Sequence, residues 1–283
     1  MFESHSQIIC TIFGMHIYFY GVILALAIVV GTLVADFIGT KFVGLKKETI
    51  IDLSPYLVIF GIIGARLYYC LLNYDFYLRF PTEIIAIRHG GISIHGAILG
   101  GLIGLIIFAK RHKISALKLA DVSAIGLVLA QSIGRWGNFF NSEAFGSPTD
   151  LPWKLYIAPQ YRPIPFTENE YFHPTFLYES VLDLVLFIIL FYIVKKNVHK
   201  KDGNIALLYL VLYSIVRIFV EHFRIDSVCY IHGFPVAMVV SVSIIVLAVI
   251  ALILNNKGDS TAKASEWRIF YDESCFILRT TRY

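Results

Sequence analysis

Charged side chains are scarce in this chain: they make up 16% of its 283 residues, whereas apolar residues make up 57%. Soluble domains have about 25% charged residues, so this composition excludes an ordinary soluble domain and is typical of a polytopic membrane protein. The first sixteen residues contain no Lys or Arg, which argues against a secretory signal peptide. We therefore expect the first apolar segment to remain in the protein as a membrane span.

Cysteine is also scarce, and the four residues Cys10, Cys70, Cys229 and Cys275 are far apart. Their spacing fits neither a disulfide framework nor a zinc site, so we expect them to act as small apolar packing residues. The sequence also lacks the common motifs for zinc hydrolysis, a serine nucleophile, dinucleotide binding and phosphate-binding loops. We therefore expect no metal, no soluble cofactor and no nucleic-acid partner.

Seven segments are long and apolar enough to cross a bilayer, which takes about twenty residues. We number them spans 1 to 7, and they cover residues 18–36, 53–72, 90–109, 122–140, 175–194, 205–222 and 234–254. Four of these spans contain ionisable residues, namely Arg66, Arg135, Glu179, Asp183, Arg217 and Glu221. The sequence predicts an all-α membrane protein, a bundle of about seven transmembrane helices in one integral membrane domain, residues 1–254. A cytoplasmic tail without an assigned role, residues 255–283, is predicted to follow.

Basic residues indicate the orientation of the spans. Eleven Lys and Arg residues lie in the connections after spans 1, 3 and 5, whereas five lie in the N-terminal tail and the connections after spans 2, 4 and 6. Because basic loops stay in the cytoplasm, the N-terminus is predicted outside and the C-terminus inside. The six ionisable residues listed above, with Tyr20 and His95, then fall in the outer half of the membrane. We infer one polar site that opens toward the outer face.

The longest outer connection joins spans 4 and 5 and contains five prolines and several aromatic residues. Loops of this length without regular structure tend to be functional, so a lid or an extracytoplasmic headpiece is one interpretation. A proline-rich surface connector with aromatic residues at the membrane interface is the other.

Residues 134–146, GRWGNFFNSEAFG, bring an arginine, two asparagines and a glutamate to the end of span 4. Arg135, Asn138 and Asn141 are three residues apart, so they share one face of a helix. A charge at this depth normally faces a partner, a cavity or a ligand, and we interpret the stretch as a site. An arginine that snorkels to the interface is the alternative, but it leaves the asparagines and Glu143 unexplained.

Span 6 carries Arg217, Glu221 and Arg224 at positions i, i+4 and i+7, on one face of a helix. Arg217 and Glu221 are able to neutralise each other, which leaves positive charge unmatched on this face, and Arg66 and Arg135 add to it. The planar arginine fork suits phosphate oxygens. A phosphate-bearing ligand is therefore the expected counter-ion, and at this depth that ligand is a phospholipid headgroup.

Two spans begin with histidine segments on the predicted outer side. His173 and Pro174 open span 5, where the helix N-terminus adds partial positive charge, and Tyr178 follows one turn later. His95 starts span 3 among glycines that permit close helix packing. A lone membrane histidine is more often a hydrogen-bonded packing residue, but an ordinary pKa of about 6.5 also suits a general base at neutral pH.

Segments 88–96, 134–146, 173–179 and 217–224, together with Tyr20 and Gly21, resemble the bacterial prolipoprotein diacylglyceryl transferase family over residues 15–226. The resemblance implies a seven-helix enzyme of the bacterial inner membrane that acts at its outer side. Such an enzyme moves the diacylglyceryl group of phosphatidylglycerol to the lipobox cysteine of a prolipoprotein signal peptide and releases glycerol 1-phosphate. By motif match, the family's functional residues fall on Tyr20, His95, Arg135, Asn138, Glu143, Gly146, Arg217 and Glu221.

Within this interpretation, Arg135 and Arg217 stabilise the negative charge that grows on the departing phosphate. His95, supported by Tyr20, is the candidate base for the substrate thiol. The phosphatidylglycerol headgroup is expected to bind to Arg135, Asn138, Asn141, Glu143, Gly146, Arg217 and Glu221. The expected supporting residues are Arg66, His173, Tyr178 and Arg224.

Two other functional classes remain open from the residues alone. A transporter or binding protein for an anionic solute or lipid would use the same arginines. A conduction path, however, also needs polar groups in the inner half of the membrane, where the sequence places few. A non-catalytic lipid-binding scaffold would need the arginines but not His95.

Overall fold

The computed structural model describes residues 2–3, 7–12, 14–87, 90–196, 201–225, 230–231 and 233–257. Residues 258–283 of the predicted tail lie outside the described residues, as do Arg88 and His89 from the segment before span 3. Seven of the described helices are long and apolar enough to cross a membrane. This confirms the predicted all-α polytopic fold.

The chain forms eight α-helices in its described part, and all but α3 are candidate membrane spans. They are α1 (Phe19–Ile38), α2 (Thr49–Leu72), α3 (Tyr74–Arg79), α4 (Ile94–His112), α5 (Ala116–Asn141), α6 (Thr175–Lys195), α7 (Asn204–Glu221) and α8 (Val236–Lys257). A π-helical segment, Gly39–Val43, extends α1. Helix α5 starts six residues before the expected residue 122, because the hydroxyl of Ser115 caps it by accepting the Lys118 N–H at 3.3 Å. Helix α4 starts four residues after residue 90, because Gly90 and Gly91 both have positive φ angles.

Seven short strands accompany the helices. They are β1 (Phe2–Glu3), β2 (Ile8–Ile12), β3 (Met15–Tyr18), β4 (Leu155–Tyr156), β5 (Tyr171–Phe172), β6 (Tyr230–Ile231) and β7 (Phe234–Pro235). The antiparallel hairpins β2–β3 and β6–β7 lead directly into α1 and α8. Strand β4 pairs in parallel with β1 and antiparallel with β5, so the N-terminal strand joins the connection between α5 and α6.

The connection between α5 and α6 folds into a small unit, and we call residues 142–174 the headpiece. Its apolar core consists of residues that are at most 9% exposed and that pack on Phe176 of α6: Phe145, Leu155, Ile157 and Phe172. Buried apolar side chains are the main source of stability for such a unit. The structure therefore gives this connection an apolar core of its own, whereas its place outside the membrane stays a prediction.

Glycines bring two pairs of helices into close contact. Gly31 of α1 and Gly126 of α5 face each other, and a Cβ on either would lie 2.6 Å from the other's carbonyl oxygen. In α4, Gly100 and Gly104 face α2, and a Cβ on Gly104 would lie 2.7 Å from the carbonyl oxygen of Tyr56. Small residues allow helix backbones to approach closely in membranes. The pairs α1–α5 and α2–α4 therefore form the frame of the bundle.

Two apolar clusters fill the end of the bundle opposite the headpiece. The first joins α1, α2, α4 and α5 through residues such as Leu53, Leu105 and Val122. The second joins α1, α5, α6 and α7 through residues such as Ile125 and Leu190, both fully buried. Arg135, Glu179 and Arg217 lie outside both clusters, in the parts of α5, α6 and α7 that are nearer the headpiece.

Two carboxylates at this apolar end hold the starts of other helices. Asp36 of α1 accepts the backbone N–H groups of Glu48 (3.1 Å) and Ile50 (3.0 Å) at the start of α2. Asp121 of α5 accepts those of Gly203 (2.7 Å) and Ala206 (2.8 Å) at the start of α7. The first N–H groups of a helix have no partner within the helix, so each carboxylate acts as a capping residue supplied by another helix.

The α2–α4 contact predicts opposite effects for two adjacent glycines. A Cβ at Gly100 would clash with the Phe60 carbonyl group, whereas nothing lies within 4 Å of a Cβ at Gly101. We expect Gly100→Ala to lower the unfolding free energy by about 1–3 kcal/mol, and Gly101→Ala to leave it unchanged or slightly higher. Thermal unfolding in the same detergent measures both. Equal loss in both variants would contradict the close contact.

Candidate active site

The end of α5 carries the three polar residues that the sequence places on one face. The helix continues to Asn141 and ends at Ser142, whose φ of 53° lies in the left-handed region. Arg135 turns toward α6 and α7, whereas Asn138 and Asn141 turn to Glu143 just beyond the helix end. One helix face therefore contributes to two neighbouring groups of residues.

Glu179 of α6 is fully buried and lies at the centre of an ion cluster. Its Oε1 lies 2.6 Å from Nη2 of Arg135 and 3.6 Å from Nη1 of Arg217. Its Oε2 lies 3.9 Å from Nη1 of Arg224, three residues after the end of α7. One carboxylate thus attracts three guanidinium groups from α5, α7 and the segment after α7.

The accessible side of the ion cluster is cationic. Arg217 also pairs with Glu221 at 2.7 Å, as their spacing suggests, and Arg135 donates to the Tyr213 hydroxyl at 3.4 Å. The arginines keep 15–21% of their side-chain surface exposed, whereas the side chains of Glu179 and Glu221 keep 0% and 3%. The guanidinium groups therefore cover the carboxylates, and a ligand that reaches the cluster meets N–H donors.

A cavity of about 490 Å³ lies where the end of α5 meets the start of α1. Its walls consist of Gln7, Tyr18, Tyr20, Gly21, Asn141 and Glu143. Oε1 of Glu143 accepts hydrogen bonds from Nδ2 of Asn138 (2.9 Å) and of Asn141 (3.2 Å), which hold the carboxylate at the cavity wall. The Tyr20 ring lies against Gly137, where a Cβ would come within 2.8 Å of the ring. The structure therefore brings Tyr20, Asn138, Asn141 and Glu143 together.

Gly146 lies where three backbone segments meet. Its N–H donates to the carbonyl group of His173 at 2.9 Å, and it forms an isolated bridge with Arg224. A Cβ at this position would lie 2.7 Å from the carbonyl oxygen of Phe223 and 2.9 Å from Cβ of His173. This glycine fastens the headpiece to the start of α6 and to the segment that carries Arg224.

A hydrogen-bond chain links the headpiece to α6 through His173 and Tyr178. Nε1 of Trp153 donates to the Tyr178 hydroxyl at 2.9 Å, and this hydroxyl lies 3.0 Å from Nδ1 of His173. The indole N–H is a donor only, so the Tyr178 hydroxyl accepts this bond and is free to donate its own hydrogen bond to Nδ1 of His173. Partial burial lowers the pKa of His173, which favours the neutral imidazole that this arrangement needs.

His95 belongs to the α2–α4 pair and not to the helices that form the ion cluster. It lies in the first turn of α4, is exposed, and has its ring centroid 6.2 Å from that of Tyr68 on α2. In the part of the chain that the structure describes, His95 forms no hydrogen bond and no ion pair. His95 therefore contacts the Tyr68 ring without the hydrogen bond expected of a packing histidine, and its exposed imidazole is open to a ligand.

Arg66 is buried and binds the backbone of the segment that leads into α4. Its Nε donates to the carbonyl group of Ile84 at 2.9 Å and its Nη1 to that of Gly91 at 2.7 Å. Further carbonyl groups around the same guanidinium belong to Glu83, Ala86 and Gly90. The structure thus places Arg66 with the entry to α4 and His95, and does not bring it into the ion cluster.

Sequence reasoning did not include Glu179, Tyr213 or Gln7 among the site residues. Glu179 could have been recognised as a site residue, because it is an ionisable residue inside a predicted span at the predicted depth of the arginines. Gln7 carried none, because its partners are distant in sequence: its Nε2 donates to the Asn141 carbonyl group (3.3 Å) and the Tyr161 hydroxyl (3.0 Å). Gln7 thereby joins the N-terminal segment to the headpiece at the cavity.

The described residues contain no group of three or more His, Cys, Asp or Glu side chains that could hold a metal ion. Cys70 is buried, as expected for a packing residue, but Cys10 is exposed on β2. For Cys10 the packing expectation was wrong, because the edge of a short hairpin offers no apolar surroundings. Cys229 and Cys275 lie outside the described residues.

Comparison with known proteins shows which family this chain is similar to. The family model described as prolipoprotein diacylglyceryl transferase matches residues 7–254. A protein of Acaryochloris marina named phosphatidylglycerol--prolipoprotein diacylglyceryl transferase is 46% identical over 227 residues, 80% of this chain and 82% of the relative. Proteins of the same name from Synechococcus elongatus and Synechocystis sp. are 42% and 41% identical over 256 residues. These alignments cover 89% of this chain and 88% and 90% of the relatives.

The region matched by the family model contains every predicted site residue from Tyr20 to Arg224, together with Gln7 and Glu179. It also contains the helices that form both the ion cluster and the cavity. The chain belongs to the prolipoprotein diacylglyceryl transferase family.

Proposed function

We propose that the protein transfers the diacylglyceryl group of phosphatidylglycerol to the lipobox cysteine thiol of prolipoproteins and releases glycerol 1-phosphate. The product is a thioether, formed in the first step of bacterial lipoprotein maturation. Family membership supports this reaction, and the relatives carry the names of both substrates. The observation that carries the proposal is the cationic face of the ion cluster at Glu179, where Arg135 lies on α5 about one helical turn before Asn138, the hydrogen-bond partner of Glu143 in the cavity wall.

The chemistry is a displacement at the glycerol carbon that carries the phosphate. The cysteine sulfur forms a bond to this carbon while the carbon–oxygen bond breaks, and the electron pair leaves with the phosphate monoester. Negative charge therefore grows on the leaving group, and preorganised donors stabilise such charge strongly in a site of low dielectric constant. Arg135 and Arg217 supply these donors, because both are partly exposed while their carboxylate partners are buried.

The thiol has to lose its proton, since the thiolate is the nucleophile. We assign this task to His95, whose exposed imidazole has no hydrogen bond or ion pair to another described residue. Tyr20 supports it from the cavity wall, where 38% of this tyrosine is exposed. No nucleophile of the enzyme is needed, because the substrate provides the sulfur.

The remaining predicted residues have two kinds of role in this proposal. Asn138, Asn141 and Glu143 bind the headgroup at the cavity, and Glu221 orients Arg217. The other predicted residues position the site. Gly146 does so through its backbone, and Arg66, His173, Tyr178 and Arg224 do so through their side chains. The competing class, a transporter or binding protein for an anionic solute or lipid, is disfavoured by the family and by the apolar clusters at the opposite end.

We also propose that the protein lies in the bacterial inner membrane with its N-terminus outside, its C-terminus inside and its site at the outer face. The support is the bias of eleven basic residues against five between the two sets of connections. The seven candidate spans agree with termini on opposite sides.

The test of the function is a direct assay. Purified protein, phosphatidylglycerol vesicles and a lipobox peptide are expected to yield a diacylglyceryl thioether on the peptide and glycerol 1-phosphate, both identified by mass spectrometry. A peptide with serine in place of the lipobox cysteine is the control. Tight phosphatidylglycerol binding without either product would favour the binding protein instead.

Arginine-to-lysine variants test the phosphate role. An ammonium group cannot make the bidentate contact of a guanidinium group, so Arg135→Lys and Arg217→Lys are each expected to lose one charge-assisted contact. Such a contact contributes about 1.5–3 kcal/mol, which corresponds to roughly a 10- to 150-fold lower kcat/KM for phosphatidylglycerol. The control is Arg111→Lys at the far end of α4, which should keep wild-type turnover. Near-normal turnover by both site variants would remove the phosphate role.

A pH–rate profile tests His95. If His95 is the base, His95→Asn should lower the rate by about 10²- to 10⁴-fold. The remaining activity should rise toward the ordinary thiol pKa of about 8.5, where more substrate is already thiolate. His112→Asn, at the other end of the same helix, controls for changes in α4. A His95→Asn profile parallel to the wild type would assign the base elsewhere, with Glu143 and Tyr20 the next candidates.

Thiol labelling tests the orientation. The exposed Cys10 is kept while the other cysteines are replaced by serine, and intact cells are treated with a membrane-impermeant maleimide. We expect Cys10 to react in intact cells, whereas a cysteine introduced at Lys110, exposed at the far end of α4, should react only after permeabilisation. The opposite pattern would reverse the proposed orientation and place the site at the cytoplasmic face.

A further inference from the structure

Asp183 lies on α6 one turn after Glu179, and it is fully buried. Neither oxygen of its carboxyl group has a hydrogen-bond partner among the described residues. Glu179 and Glu221 differ from it in this respect, since each lies within ion-pair distance of an arginine. Asp183 is therefore the carboxyl group of this region whose charge nothing nearby compensates directly.

The groups that face Asp183 come from α5, α6 and α7. Arg135 of α5 attracts a negative charge at Asp183, and Glu179 of its own helix repels it. Tyr209 and Tyr213 of α7 also interact with it, but the Tyr209 hydroxyl donates to Oε1 of Gln131 at 3.0 Å. Arg135 already lies 2.6 Å from Glu179. The cation that acts on Asp183 is thus already paired with another carboxylate.

An ionised carboxylate is costly in such surroundings. A buried charge needs a counter-charge or several hydrogen bonds, and the cost is greater within a membrane. Two carboxyl groups one helical turn apart also repel each other when both are ionised. The neutral acid avoids both costs, because a protonated carboxyl group carries no charge.

The charge of Asp183 matters for the ion cluster. An ionised Asp183 would place a second negative charge beside Arg135, which Glu179 already neutralises, and would weaken the attraction of Arg135 for a phosphate. A neutral Asp183 preserves this attraction. We propose that Asp183 carries a proton in the resting enzyme and thereby keeps the ion cluster cationic enough to bind the phosphatidylglycerol phosphate. Asp183 is a positioning residue in this role, because it acts through Arg135, and the binding part of the inference rests on the proposed function.

Infrared spectroscopy tests the protonation without any assay of activity. The carbonyl stretch of a protonated carboxylic acid is separate from the carboxylate bands, and it shifts in D₂O. We expect the wild type to show such a band at neutral pH and Asp183→Asn to lose it. Asp36→Asn is the control, because Asp36 accepts two backbone N–H groups at the opposite end of the bundle, and this substitution should leave the band in place. If Asp183→Asn does not fold, Asp183→Glu should displace the band. A spectrum without a band assignable to Asp183 would overturn the inference.

The KM for phosphatidylglycerol tests the consequence for binding. A buried carboxyl group without a direct partner ionises at higher pH than an exposed one, so the wild-type KM should rise about tenfold or more between about pH 5 and about pH 10, as a unit charge appears near Arg135. In Asp183→Asn, which copies the neutral acid, KM should change less than about twofold over this range. Parallel KM profiles would show that Asp183 does not set the charge of the cluster. A wild type that forms no thioether at any pH would refute the proposed function, whereas the infrared result would still decide the protonation of Asp183.

Discussion

A carboxylate that is removed from water has to be compensated by cations or hydrogen-bond donors close by. Glu179 is fully buried, and its compensation comes from Arg135 of α5, from Arg217 of α7 and from Arg224 after α7. Removal of one partner of a buried ion pair leaves an uncompensated charge, which is strongly destabilising. The positions of α5, α6 and α7 relative to each other therefore depend on this one carboxylate.

A second contact fixes the same register between α5 and α6. The hydroxyl of Ser132 donates to the carbonyl group of Ser180, and the hydroxyl of Ser180 donates to that of Ser132, both at 2.8 Å. Ser132 precedes Arg135 by three residues and Ser180 follows Glu179 directly, so this reciprocal pair lies beside the ion pair. The arginines are thus held by a stiff support, which a site that must stabilise developing charge requires.

Hydropathy made the spans predictable, because the length and apolar composition of a span are local properties of the sequence. The ion pair between Arg217 and Glu221 was also predictable, because residues at positions i and i+4 of a helix are neighbours. The partner of Arg135 was not, because it lies on another helix and its choice depends on how α5 and α6 pack. The environment of Arg66 was not predictable either. Its charge suggested that it helps to attract a phosphate, but in the structure backbone carbonyl groups surround it.

The parallel pairing of Phe2–Glu3 with Leu155–Tyr156 restricts how the protein is inserted into a membrane. Four candidate spans, α1, α2, α4 and α5, separate the two strands in the chain. Only an even number of crossings returns the chain to the side from which it began, so the pairing is incompatible with an arrangement in which one or three of the four spans fail to cross. The partner strand also comes after more than half of the chain. The N-terminal strand can therefore form this pair only when residues 155 and 156 have been made and lie on its own side.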